Sequence, residues 1–292
     1  MKNTLKNPAV YLMFVLPTVI LYGLFFLYPM FSSVFYAFTD WDGLNPAKFI
    51  GFDNFTKAFS DDQFHVAIWN NMSFLLFSVI LQVPVIIVFA LLISNVKKFQ
   101  GFYKTTVFIP SILSTSVIGI LWGFIYDPDI GPIAAFLKFF GVEPIYWLAE
   151  SKWAMKAILI TNAWQWVGFY IILILAAILA IPRDIDEAAA IDGATAPQRA
   201  WYLTLPLIKP IISVVVMLSI AGAMRVVDVV LVMTNGGPAG TTEVMGSIMV
   251  NKAIKYGEYG YGMSLAIIIF AFALVLTAIY QLTFGRTERI EY

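Results

Sequence analysis

Apolar residues in this chain fall in long unbroken runs. They do not follow the alternating or 3.6-residue pattern of half-buried elements. Six stretches stand out: 7–39, 63–96, 105–126, 157–182, 207–233 and 259–285. Five contain no Lys, Arg, Asp or Glu, and the fifth in order holds Arg225 and Asp228 in its body and Lys209 at its edge. A helix crossing roughly 30 Å of hydrocarbon at about 1.5 Å per residue needs about 20 apolar residues, so every run is long enough. The pattern predicts an all-α, polytopic membrane protein with six transmembrane helices, near 10–38, 67–96, 105–126, 157–181, 207–233 and 261–284, in a single membrane domain over 1–292. Pro17 and Pro29 are candidate kinks in the first span. Lys2 and Lys6 look like the basic start of a signal peptide. The run that follows is too long for one, and no Ala-x-Ala cleavage pattern comes after it, so it is read as a retained span.

Basic residues in short loops set orientation. With both termini cytoplasmic, the inside segments hold Lys2, Lys6, Lys97, Lys98, Lys104, Arg183, Arg199, Lys209, Arg286 and Arg289, clustered at span ends. The outside segments hold Lys48, Lys57, Lys138, Lys152, Lys156, Lys252 and Lys255. Segment 133–140 of the second outside loop is apolar and too short to span, which predicts a helix lying at the interface.

Composition narrows the function classes. Of 292 residues only 12% are charged and 60% are hydrophobic, where soluble domains carry about 25% charged residues. The net charge is zero, from 18 Lys plus Arg against 18 Asp plus Glu, so the basic excess of a nucleic-acid binder is missing. There is no cysteine and one histidine, His65, which excludes disulfides, thiolate chemistry and His-pair metal sites. No cofactor and no catalytic constellation is expected. On the proposed topology the zero is a cancellation, positive inside and negative outside. Four of the six inside acids, Asp184, Asp186, Glu187 and Asp192, share one loop, the others being Glu288 and Glu291.

That loop, 183–206, is the long exception among the inside connections, and long loops without structure of their own tend to be functional. Pro182 stops the fourth span. Asp184 or Asp186 is placed to cap a short helix, with Glu187 in its first turn. Ala188, Ala189 and Ala190 favour that helix, and Gly193 is placed to end it in a left-handed conformation. Pro197 suits the first turn of a second helix. The physics leaves two readings open: a smooth helix that docks in a groove on another protein, or a capped surface helix that closes the loop.

Glu187-Ala188-Ala189, then Gly193, then Leu203-x-Leu205-Pro206 resembles the EAA motif of ABC importer permeases, with Leu203 where the family usually has Ile. The segment from Phe49 to Phe55 is similar to the corresponding stretch of sugar permeases. So are Met233-Thr234-Asn235-Gly236-Gly237-Pro238, with Asn235 for a usual Gly, and Trp164-Gln165-x-x-Gly168. The chain as a whole resembles the carbohydrate-uptake permeases, on the side of the lactose- and glycerol-phosphate-type first permeases. The resemblance implies a subunit of the bacterial inner (plasma) membrane that imports a sugar by alternating access. Glu187, Ala188, Ala189, Gly193, Leu203, Leu205 and Pro206 would form the coupling element between helices four and five. The implied partners are cytoplasmic ABC ATPase subunits, a second homologous permease making a heterodimer, an extracytoplasmic solute-binding protein and the lipid bilayer. The chain is not expected to be an enzyme: a P-loop needs Gly-Lys-Ser/Thr, and no Gly is followed by Lys.

Polar residues within the spans are the pathway candidates. Arg225 and Asp228, three residues apart, would share one helical face, either lining a pathway or pinning helix packing as a mutual ion pair. Asn162, Trp164, Gln165, Trp166 and Tyr170 combine amides with aromatic faces, which suits a sugar; the alternative is an aromatic belt at the membrane surface. Asn70, Asn71 and Gln82 could serve a substrate or bond helix to helix. Gly119-x-x-x-Gly123 permits close helix approach. An ion-coupled secondary transporter of a small polar solute stays open as the alternative function.

Overall fold

The computed structural model describes residues 8–96 and 98–284. Lys2, Lys6, Lys97, Arg286, Glu288, Arg289 and Glu291 lie outside them. The described residues are helical: α1 Pro8–Tyr22, α2 Tyr28–Tyr36, α3 Asp53–Ser60, α4 Asp62–Phe77, α5 Val83–Ser94, α6 Gln100–Ile112, α7 Thr115–Ile125, α8 Pro132–Phe139, α9 Ser151–Leu179, α10 Arg183–Ile191, α11 Ala196–Arg199, α12 Leu205–Arg225, α13 Asp228–Met233, α14 Met245–Val250 and α15 Tyr259–Phe284. Among them, one isolated bridge between Thr39 and Phe49 is the sole β-type pairing.

Among the described residues, five helical stretches are long and apolar enough to cross a bilayer: Val10–Tyr36, Asp62–Ser94, Ser151–Leu179, Ala196–Arg225 and Tyr259–Phe284. Three of these pass through a widened turn just before a proline. Gly23–Leu27 precedes Pro29, Ser78–Gln82 precedes Pro84, and Ala200–Thr204 precedes Pro206. Proline has no N–H and its ring collides with the carbonyl four residues back. Opening the turn to i→i−5 hydrogen bonds, such as Tyr28 N to Gly23 O, relieves the clash without ending the helix.

Two expected spans are not single helices. Segment 105–126 is split into α6 and α7, bent by 99°, because Leu113 and Ser114 adopt extended backbone with ψ of 148° and 134°. Segment 207–233 is split into α12 and α13 at Val226 and Val227, with ψ of 122° and −58°. The short helix expected over 133–140 is α8.

The fold divides into two compact units. One combines the described residues up to Asp61 with Met249–Ile268. Within it Asn54, buried, donates from Nδ2 to the carbonyls of Ala37 (2.9 Å) and Thr39 (2.8 Å) and so closes the C-terminal end of α2. The backbone N–H of Gly260 donates to Trp41 O at 2.8 Å, and Lys57 pairs with Glu258 at 2.9 Å. In the same unit, the N–H groups of Asn45 and Leu44 and the Asn45 amide all donate to the Asp42 carboxylate and hold its pKa down at about 2.

The other unit comprises Asp62–Ile248 and the described residues from Ile269 onward. Its core joins α5, α9 and α12 through Ile86, Ile174, Leu175 and Val215, all buried. Leu276 and Tyr280 of α15 pack against this cluster, and Tyr280 Oη donates to Ser213 Oγ at 3.1 Å. Helix α6, whose Val107 also packs against this cluster, comes so near α9 that a Cβ placed on Gly168 would lie 1.6 Å from Val107 O. Of the expected Gly119/Gly123 pair, Gly119 faces Val232 at close range while Gly123 has open space.

This contact makes a direct prediction. Gly168→Ala should cost at least about 1–3 kcal/mol by overpacking and lower the thermal midpoint of the detergent-solubilised protein, whereas Gly123→Ala should leave it within about 0.5 kcal/mol. Equal midpoints for the two variants would contradict the packing described.

Candidate functional site

Two places in the second unit carry the candidate residues. The first is the segment that joins α9 to α12. Helix α10 begins directly after Pro182, whose ψ of 134° turns the chain out of α9. Neither Asp184 nor Asp186 caps it. Both lie in its first turn, where the positive end of the helix dipole favours them, and Glu187 follows on the second turn rather than the first. The expected cap fails because Pro182, not an aspartate, occupies the cap position. Asp186 instead accepts from Arg199 Nε at 2.9 Å, while Arg199 Nη1 donates to Ala194 O at 2.9 Å. Arg199, which the sequence offered only as an inside cation, thus fastens α11 to α10.

Gly193 ends α10 with φ +84°, a value that suits glycine. Thr195 then opens α11: its N–H and its hydroxyl both donate to Gln198 Oε1 at 2.8 Å. Pro197 falls in the first turn of α11. Leu205 and Pro206 start α12, with Leu205 packed on the core cluster. Glu187 and Ala188 are exposed and Ala189 is half-buried. Alongside lies an open groove of about 460 Å³ bordered by Ala189, Gly193, Tyr202 and Leu203. Tyr202 on its border (76% exposed), with Ile191 (87%) and Trp201 (65%) near in sequence, are apolar groups left uncovered among the described residues. Sequence reasoning passed over these three; large apolar residues in an otherwise polar loop were the available signal.

The second place is a cavity of about 310 Å³. Phe74, Ser78 and Gln82 line one side, Asn162, Trp166 and Tyr170 of α9 another, and the broken stretch from Ser219 to Val229 a third. Arg225 and Asp228 both border it and both are exposed. They do not share a helical face, because the break at Val226–Val227 lies between them. Nor do they form an ion pair with each other. The cavity therefore presents a guanidinium, a carboxylate, two amides, several hydroxyls and three aromatic rings.

Three candidates lie elsewhere. Trp164 is exposed and meets Trp122 edge-on, with ring centroids 5.5 Å apart. Gln165 is buried and spans the α6–α7 break, donating from Nε2 to Leu113 O (3.2 Å) and to Thr115 Oγ1 (3.1 Å). Asn71 is wholly buried and donates to Ala223 O at 2.6 Å while accepting from Met245 N at 2.9 Å. Gln82 borders the cavity and also accepts from Ser78 Oγ at 2.9 Å.

Comparison with known proteins places this architecture. Residues 63–289 match the family described as "Binding-protein-dependent transport system inner membrane component". The trehalose/maltose transport system permease protein MalF of Thermococcus litoralis is 34% identical over 82% of this chain and 81% of its own length. The sulfoquinovosyl glycerol transport system permease protein SmoG of Agrobacterium fabrum is 32% identical over 90% and 86%. Among solved structures, a chain of a bacterial ABC transporter involved in the import of the acidic polysaccharide alginate superposes with a TM-score of 0.87. It is 26% identical, covering 98% of this chain and 99% of that one. With most of its length matched by the family and its fold reproduced end to end, this chain belongs to the inner membrane components of binding-protein-dependent ABC transport systems.

Proposed function

We propose that this chain is a permease subunit of an importer that carries a carbohydrate into the cell, powered by ATP hydrolysed on a separate subunit. The observation that carries the reading is α10. It is a short helix with an exposed small-residue surface at Ala188, ended by the tight Gly193 turn and continuous at its two ends with α9 and, through α11, α12. Small side chains let another backbone approach closely. Glu187 supplies a polar contact, Ala188 and Ala189 the packing, and Gly193 the turn. Leu203, Leu205 and Pro206 root the element in α12. The exposed Ile191, Trp201 and Tyr202 give the docking partner apolar surface to cover. The chain has no Gly-Lys pair with which to build a P-loop, so the ATPase must be supplied from outside.

The carbohydrate assignment draws on the cavity and on relatives whose names specify trehalose, maltose and sulfoquinovosyl glycerol. A sugar has apolar C–H faces for Trp166 and Tyr170, and hydroxyls that accept from Arg225 and donate to Asp228. In this reading α10 and both termini face the cytoplasm, as the placement of Lys and Arg favours. A second homologous permease completes the pathway as a heterodimer, and an extracytoplasmic binding protein delivers the solute. Closure of the ATPase pair moves the α10 segments and turns the cavity from one side of the membrane to the other.

Two experiments test this. Glu187→Lys and Gly193→Asp should each insert normally yet lower uptake by about tenfold or more, as a mismatched charge at a docked interface does, with loss of ATPase co-purification or of its coupling. Normal uptake and normal co-purification in both would defeat the docking role. Arg225→Ala should raise the half-saturating solute concentration by about tenfold, the size expected for one lost charge-assisted hydrogen bond, and an unchanged value would remove Arg225 from the pathway.

A further inference from the structure

The break between α12 and α13 has no sequence cause of the usual kind: Val226 and Val227 are neither proline nor glycine. In an uninterrupted helix the Ala223 carbonyl would accept from the N–H of Val227. With ψ of 122° at Val226 the chain leaves the helix and that donor is lost. An orphan carbonyl in an apolar surround costs free energy unless another donor replaces the missing one. Asn71 Nδ2 on α4 does so, at 2.6 Å. The other end of the same amide serves a second helix end. Met245 is the first residue of α14, its N–H lacks an intrahelical partner, and Asn71 Oδ1 accepts from it at 2.9 Å. Both partners fix the orientation of the amide, since a carbonyl can only accept and an N–H can only donate.

We infer that Asn71 is a positioning residue: it holds the α12–α13 break open and thereby sets Arg225 and Asp228 on the wall of the cavity. It is wholly buried and does not border the cavity itself, so it acts through the two charged residues that flank the break. An amide is the side chain suited to the task because it carries a donor and an acceptor a short fixed distance apart. The neighbouring Asn70 is a built-in control. It is also buried, but its Nδ2 donates to Thr241 O (2.9 Å) and Glu243 O (2.7 Å), in the loop before α14 and not at the break. The significance of the cavity rests on the transport reading above, but the role of Asn71 in shaping it does not.

The chain has no cysteine, so a single thiol can report the position of the wall. In the assembled transporter held in nanodiscs, Asn71→Leu should speed amide hydrogen exchange in 223–229 and at 245–248 by about tenfold or more, the effect of one buried hydrogen bond. Asn70→Leu should speed exchange in 240–244 and leave 223–229 as in the parent. In an Asp228→Cys background, adding Asn71→Leu should change the rate of modification by a water-soluble maleimide by a similar factor, and adding Asn70→Leu should not. If Asn71→Leu does not accumulate, Asn71→Ser, too short to reach both helix ends, carries the same expectations. Exchange in 223–229 unchanged by the Asn71 variant, or altered equally by the Asn70 variant, overturns the assignment, as does an unaltered rate at the introduced thiol. None of these readouts needs the solute, so a failed uptake assay would count against the import reading alone.

Discussion

A backbone carbonyl at a helix end has no water to turn to inside an apolar bundle, and this structure answers that constraint with side-chain amides. Asn54 closes the end of α2. Gln165 spans the break between α6 and α7. Asn71 joins the end of α12 to the start of α14, and Asn70 holds the loop just before it. All four are buried. Each places donors where non-helical or interrupted backbone exposes acceptors, so each makes an irregular backbone affordable at that point. Without such donors the chain would have to run as uninterrupted helices, and the charged residues beside the α12–α13 break would lie on the helix surface instead of flanking an opening.

Both breaks contribute to the wall of the cavity. Thr115, the first residue of α7, borders it just past the α6–α7 bend, and the stretch from Ser219 to Val229 borders it across the α12–α13 break. Helix α9 contributes Asn162, Trp166 and Tyr170 from one unbroken 29-residue helix. A straight helix gives a rigid wall, and broken helices give walls that can be re-aimed. Gly168 keeps α6 against α9 with its backbone in contact range. The Trp164-Gln165-x-x-Gly168 pattern therefore reads physically as one device: the glutamine secures the bend in the neighbouring chain segment, and the glycine lets that segment come near enough to be secured.

Hydropathy and length made the helical class legible, because the cost of exposing backbone to hydrocarbon forces long apolar runs. Local chemistry made the α10–α11 turn legible too. Gly193 and Pro197 sit where left-handed geometry and a missing N–H are tolerated. The breaks were not legible. At 226–227 two β-branched residues stand where the helix stops, and the group that permits the stop, Asn71, is some 150 residues away in sequence. For the same reason the sequence offered Asn71 and Gln165 as pathway residues: a polar side chain in a span is conspicuous, but whether it faces a cavity or a helix end depends on neighbours that only the fold brings together. The role of Arg199 escaped for a similar reason, since its partner Asp186 seemed free to cap α10 until Pro182 took that position.

The placement of α10 gives the import reading its mechanical content. Helix α9 runs roughly 44 Å at about 1.5 Å per residue, carries the cavity residues Asn162, Trp166 and Tyr170, and ends at Leu179, four residues before α10 begins. Helix α12 begins just beyond α11 and ends at Arg225 on the cavity. Two walls of the cavity are therefore covalent extensions of the two ends of one small element, within which the Asp186–Arg199 pair ties α10 to α11. The turns at the ends of α10 fall at Pro182 and Gly193, and α5, α9 and α12 share one buried core. The α12–α13 break at the far end of α12 is held by the Asn71 amide instead of a continuous run of helical bonds. Under the proposed import function, displacement entering at α10 would reach the cavity along α12, which ends at Arg225.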